Sequence, residues 1–174
     1  MSPPPLLVLV GPTGVGKTAV AVALAGRVDM EVVSADSRQV YRRLDIGTGK
    51  PTAEERAAVP HHLIDVVDPG EGYHAARFRA DALAAIAAVQ GRGRLPVVVG
   101  GTGLYVRALL RGLAPAPPAD AALRASLERV AAEQGPAALH ARLAAVAPDR
   151  ARRLHPNDRV RVVRALEVQT LTAG

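Results

Sequence analysis

The chain predicts an α/β fold, a parallel sheet with helices on both faces plus a small helical appendage. Three observations carry this. Short runs rich in β-branched residues alternate with helical patterns through the first two thirds. Glycine-rich turns follow several of those runs. Beyond a proline-rich stretch, Ala114-Pro115-Ala116-Pro117-Pro118-Ala119-Asp120, only helical patterns remain. Alternation of this kind winds a chain into a parallel sheet, because each helix returns the chain to start another strand in the same direction.

The expected strands are 6–10, 31–35, 63–67 and 96–99, nearly continuous apolar runs of the kind covered on both faces. Between them, helices are expected over 17–28 and 74–90, the second with Phe78, Leu83, Ile86 and Val89 at helical spacing. The stiff linker divides the chain into a core, 1–113, and a helical segment, 114–174. Helices are expected there over 120–133 and 136–146, with a turn after Pro148 and a last helix capped by Asn157. In that last helix Val160, Val163, Leu166 and Leu171 form the expected apolar stripe.

The most informative segment is Gly11-Pro12-Thr13-Gly14-Val15-Gly16-Lys17-Thr18, which follows the first strand and opens the first helix. Its glycines let successive N–H groups turn inward onto phosphate oxygens. Lys17 adds a point charge, and the Thr18 hydroxyl is placed to ligate Mg²⁺. The helix start aims its positive end at the same anion. A polyphosphate or diphosphate is expected here, on a P-loop NTPase-like sheet. Of the 22 basic residues only Lys17 and Lys50 are lysine, so a lysine in the phosphate-loop slot suggests that a compact ammonium is needed there.

Ligands of such sheets gather at the carboxyl ends of the strands. The segments 11–18, 36–41 and 100–105 all follow strands and should converge there. Asp36 faces the phosphate loop as a candidate base or metal ligand, although an Asp-Ser pair by itself is more commonly a helix cap. Gly100-Gly101-Thr102-Gly103 permits close backbone approach and places a hydroxyl at a helix start. No acidic residue ends the run Val97-Val98-Val99, which weakens an ordinary ATPase reading. Asp65 and Asp68 are the nearest substitutes, and Lys50 reads either as a second anion contact or as part of a solvated turn.

A net charge of +6 favours a polyanionic partner, while one Phe, three Tyr and no Trp argue against a stacking platform for single strands. The densest basic stretch is Arg152, Arg153, Arg159, Arg161 and Arg164, with Arg124 after the linker; such runs are commonly solvated helix faces. Absence of cysteine excludes disulfides and thiolate metal sites. No signal peptide or membrane span is read, and the five histidines show no zinc-ligand spacing.

Together the segments G-P-T-G-V-G-K-T (11–18), S-A-D-S-R-Q-V-Y (34–41), D-I-G-T-G-K-P-T (45–52), P-H-H-L-I-D (60–65), G-G-T-G-L-Y (100–105) and L-H-P-N-D-R-V-R-V-V-R-A-L-E-V (154–168) resemble the bacterial tRNA dimethylallyltransferases. The resemblance implies transfer of a dimethylallyl group from dimethylallyl diphosphate to N6 of the adenosine 3′ to the anticodon, with Mg²⁺ assisting and pyrophosphate leaving. It implies that Gly11–Thr18 hold the diphosphate, with Lys17 catalytic and Thr18 on the metal. Asp36 would take the amine proton and Thr102 would touch the reaction centre. Ser37, Arg38, Gln39, Arg124 and the stretch Arg159, Val160, Arg161, Val162, Val163 would meet the anticodon stem-loop of tRNA. The resemblance further implies a cytoplasmic, monomeric protein, shortened at the C-terminus because family members are usually much longer. The rival readings are a P-loop small-molecule kinase using ATP, which leaves S-A-D-S-x-Q-V-Y unexplained, and an inactive phosphate- or RNA-binding fragment.

Overall fold

The computed structural model describes residues 5–172, and the chain divides into two compact units, Met1–Leu113 and Ala114–Gly174. The first contains strands β1 (Leu7–Val10), β2 (Met30–Ser34), β3 (His61–His62) and β4 (Leu95–Gly100). Its helices are α1 (Lys17–Ala25), α2 (Ala53–Ala58), α3 (Ala75–Gly91) and α4 (Gly103–Arg111). All strand pairs are parallel, in the order β1-β4-β2-β3. Successive side chains on a strand point to opposite faces, and the core follows that parity. Val32, Val97 and Val99 pack with Ala21 of α1, while Val33 and Val98 pack with Phe78, Ala82 and Ile86 of α3 and Ala108 and Leu109 of α4. The α/β class with helices on both faces is therefore correct.

The third strand is not where the hydrophobic pattern placed it. Leu63 and Asp65 adopt left-handed backbone, with φ of 63° and 58°, which a pleated strand cannot accommodate. Pairing is confined to His61–His62, and a lone bridge joins Tyr41 to Val67. Helix α1 stops at Ala25, where Gly26 follows, rather than at 28. Helix α2 was not anticipated, yet its signal is explicit. Thr52 and Glu55 form a reciprocal capping box, the Glu55 N–H donating to the Thr52 hydroxyl and the Thr52 N–H to the Glu55 carboxylate. In α3, Leu83 is exposed and the small Ala75 and Ala82 share the buried face with Phe78, Ile86 and Val89.

At the start of β2 the buried Glu31 accepts both arms of Arg92 (2.9 and 2.7 Å), Arg94 (3.2 Å) and the His62 ring (2.6 Å). The Arg92 fork outweighs burial and, with His62 and Arg94, holds its carboxyl down to about 2. This ties β2, β3 and the turn before β4 at the end of the sheet opposite the glycine turns.

The second unit comprises α5 (Ala121–Gln134), α6 (Pro136–Val146), α7 (Pro148–Ala151) and α8 (Arg159–Thr172). Asp120 caps α5 by accepting the Leu123 N–H at 2.9 Å. Leu127, Leu139, Leu143, Val162, Val163 and Leu166 make the core. Two expectations are corrected. The cap of α8 is not Asn157 but Asp158, whose carboxylate accepts the Arg161 N–H at 3.3 Å. The apolar stripe is also rotated: Val160 is 79% exposed and Leu171 is exposed, while Val162 joins Val163 and Leu166 in the core. Proximity in sequence to arginine did not reveal which valines face inward. No helix among the described residues is long and apolar enough to cross a membrane.

Candidate active site

The three glycine-bearing or acidic turns meet at the carboxyl ends of β1, β2 and β4. Gly14 and Gly16 have φ of 82° and 89°, backbone that residues with a Cβ rarely adopt, and this opens the phosphate loop before α1. Gly100 is required for a different reason. A Cβ there would lie 2.2 Å from the Ala35 carbonyl oxygen, so only glycine lets β4 end against the segment that carries Asp36. Gly101 in turn lies over the Gly11 carbonyl and beside the Lys17 ammonium.

A cleft of about 340 Å³ results, lined in part by Thr13, Gly14, Gly16, Lys17, Thr18, Asp36 and Gln39. Lys17 donates to the Pro12 carbonyl at 2.7 Å. The Asp36 Oδ1 accepts the N–H groups of Arg38 (2.8 Å) and Gln39 (3.4 Å), so Asp36 caps its own turn, and Oδ2 remains for a ligand. The cap and catalyst readings are compatible. Thr102 accepts the Ser37 N–H at 2.9 Å and donates to the Ser37 hydroxyl at 3.2 Å; Thr102, Ser37 and Arg38 stand beside the cleft rather than in its lining. Gly11 and Pro12 line a second hollow, about 570 Å³, which α4 borders with Arg107 and Arg111. Val15 is exposed and lines neither hollow.

Several lining residues were missed from sequence. Thr48 and Gly49 enter from the loop after Tyr41, and Glu55 and His61 from α2 and β3. Burial is the main cause that lowers the His61 pKa, and its Nδ1 donates to the Val59 carbonyl at 2.8 Å. The capping box of α2 was the available signal for Glu55. Lys50 is neither a second anion contact nor part of a solvated turn. It is buried against Asp45, Asp65 and the Tyr41 carbonyl. That also removes Asp65 as a substitute metal ligand at the cleft, and Asp68 pairs with Arg42.

In the second unit the expected polyanion contacts separate into two kinds. Arg124 grips both oxygens of the buried Glu167 at 2.9 Å, and Arg164 bonds Glu167 and the Pro117 carbonyl. Burial would raise the Glu167 pKa, but the two arginines and the Asp120 N–H bring it to about 2. Val162 and Val163 are core residues, so their side chains are not presented to any partner. Arg159 pairs with Glu128, whereas Arg161 is 75% exposed and, among the described residues, pairs with Asp158 alone, at 3.4 Å.

Comparison with known proteins identifies the family. A tRNA dimethylallyltransferase of Anaeromyxobacter sp. (strain Fw109-5) is 68% identical over 163 residues, covering 94% of this chain and 54% of the relative. One from Halorhodospira halophila is 60% identical, covering 97% and 54%. The crystal structure of a tRNA isopentenylpyrophosphate transferase from Bacillus halodurans superposes with a TM-score of 0.62 at 48% identity, over 97% of this chain and 56% of that one. A eukaryotic dimethylallyltransferase acting on tRNA gives 0.76 at 31% identity, over 98% and 44%. The chain thus spans about half the length of the curated relatives it matches. Residues 39–174 match the family model described as IPP transferase, and the chain belongs to that family.

Proposed function

We propose that the cleft binds dimethylallyl diphosphate and that the chain contributes the catalytic centre of a tRNA dimethylallyltransferase. The observation that supports it best is that the phosphate loop and the Asp36 turn face one cleft, locked together where Gly100 meets Ala35. In this reading the loop N–H groups, the start of α1 and Lys17 hold the diphosphate. The adenine N6 attacks the allylic carbon, the carbon–oxygen bond to the diphosphate breaks, and pyrophosphate leaves onto those donors. Asp36 accepts the amine proton through Oδ2 while its Oδ1 stays on the Arg38 and Gln39 N–H groups. The Thr18 hydroxyl is a hard oxygen that suits Mg²⁺, which would neutralise diphosphate charge. The target base must leave its stack to reach Asp36, and Thr102 with Ser37 borders its approach. Arg159, Val160 and Arg161 offer a contact for the RNA backbone. The protein works in the cytoplasm as a monomer in this reading.

The test is calorimetric titration of dimethylallyl diphosphate with Mg²⁺, compared with ATP. Lys17→Ala should weaken diphosphate binding at least tenfold, the loss of a charge-assisted contact of about 1.5–3 kcal/mol. Equal affinity in the variant overturns the assignment of the loop. Tight ATP binding with phosphoryl transfer to a small acceptor favours a kinase instead. Label passing from the diphosphate into unmodified tRNA decides for the transferase.

A further inference from the structure

We propose that Lys50 is a positioning residue, a buried cation that fixes the loop from Asp45 to Lys50 so that Gly49 holds Gln39 and Gln39 holds the Asp36 carboxylate. The inference rests on the proposed role of Asp36. The Lys50 ammonium donates to the Tyr41 carbonyl (2.7 Å), Asp45 Oδ1 (2.8 Å) and Asp65 Oδ1 (2.6 Å). All three of its protons are used, and the side chain is only 4% exposed. Arg56 takes the other oxygen of Asp65 at 2.9 Å. Within the loop, Thr48 donates to the Leu44 carbonyl, while Gly47 and Gly49 take positive φ. The loop is therefore closed on itself and tied at both ends to one ammonium.

Its inner edge reaches the site. The Gln39 Nε2 donates to the Gly49 carbonyl at 2.8 Å, and its Oε1 accepts the Ser34 hydroxyl at 2.9 Å. Both ends of that amide are thereby fixed. The same residue's backbone N–H, with that of Arg38, orients Asp36. Gln39 thus has an internal partner for each side-chain atom that was expected to touch RNA. A planar guanidinium cannot aim three donors at three oxygens converging on one point, which explains a lysine here in a chain whose other basic residues, Lys17 apart, are arginine.

The experiment needs no substrate in its first arm. Nitrogen-15 spectra and amide exchange are recorded for the whole chain and for Lys50→Met, Lys50→Arg and Asp45→Asn. The Lys50 variants should shift the Gln39 side-chain amide and raise exchange of the Arg38 N–H roughly tenfold or more, with α3 and β4 amides unchanged. Asp45→Asn removes only the negative charge of the exposed partner and should move the same signals less; it judges the proposal if the Lys50 variants do not fold. Unmoved Arg38 and Gln39 signals in folded variants, or a Lys50→Arg protein identical to the parent, overturn the proposal. In the second arm, label transfer to tRNA should fall at least tenfold in Lys50→Arg while diphosphate affinity holds. Loss of affinity equal to the loss of transfer overturns a positioning role. A parent chain that does not bind the diphosphate overturns the functional reading instead, and leaves the spectroscopic result to judge Lys50.

Discussion

In the sheet unit the polar groups that face the cleft include backbone turns, hydroxyls, one lysine, carboxylates, the Gln39 amide and the His61 ring but no arginine, and its arginines Arg92 and Arg94 hold the buried Glu31 at the far end. In the helical unit the arginines Arg124 and Arg164 do the same for Glu167, and only part of an apparent basic patch remains to meet a partner. A turn that must let two backbones touch has few chemical solutions, so its residues announce its geometry. An arginine on a helix can be solvated, bound to a polyanion or clamped to a carboxylate more than forty positions away. Its identity does not distinguish these.

The sharpest way to break this contrast is Gly100→Ala. The added Cβ would meet a backbone oxygen at 2.2 Å, which no side-chain rotation relieves. Destabilisation above about 3 kcal/mol is expected. The nearby Gly103→Ala meets nothing within 4 Å and should stay within about 0.5 kcal/mol of the parent. Thermal unfolding of both decides the matter, and equal melting temperatures would refute the backbone-contact account.

The same contrast governs what could be read from the sequence. The phosphate loop, the Asp36 turn and the Gly100 turn were legible because each follows a strand and needs particular backbone geometry or chemistry. The α/β layering was legible from alternation, and the strand parity then follows from the pleat. The end of the third strand was not, because a hydrophobic pattern does not report the left-handed backbone at Leu63 and Asp65, nor that the Asp65 carboxylate is held by Lys50 and Arg56. Lys50 itself looked like a surface cation for the same reason. In α8 the stripe was misread because Glu167, an acidic residue, is wholly buried, which the two arginines and the Asp120 N–H make tolerable.

Glu167→Gln tests that tolerance. It leaves Arg124 and Arg164 without their charge partner in a partly buried site, and about 2–3 kcal/mol of stability should be lost from the helical unit. Replacing Glu167 and Arg124 together by Met should recover much of it. Urea unfolding followed on α5 and α8 amides is the measurement, and a double variant as weak as the single one would show that the pair, not the stranded charge, matters.

Acid should affect both units through the same device. Glu31 and Glu167 sit near 2 in the folded chain, against 4.5 for the free side chain. Their folded values are depressed, so the stability they add is fully present above about pH 4.5 and is lost as pH falls through about 2. Each should contribute about 1–2 kcal/mol, less than the full shift because the partner arginines are half exposed to water. Urea midpoints between pH 6 and 2 measure it. Glu31→Gln should flatten the acid slope of the sheet unit alone, and a slope unchanged by that substitution would mean that other carboxylates set the acid limit.

The smallest expected effect separates the two kinds of arginine. Arg161 has one weak contact and is open to water, so Arg161→Gln should leave unfolding within about 0.5 kcal/mol of the parent. If Arg161 meets a phosphate of tRNA, that substitution should flatten the logarithmic salt dependence of binding by about 0.7–0.9, the counterion release of one contact. Arg164→Gln should show the reverse, lower stability with the salt slope unchanged, because its guanidinium already holds Glu167 and the Pro117 carbonyl. A tRNA titration at several salt concentrations, paired with urea unfolding, reads both. Should Arg161→Gln leave the slope unaltered, the exposed face of α8 around Arg161 is a solvated surface.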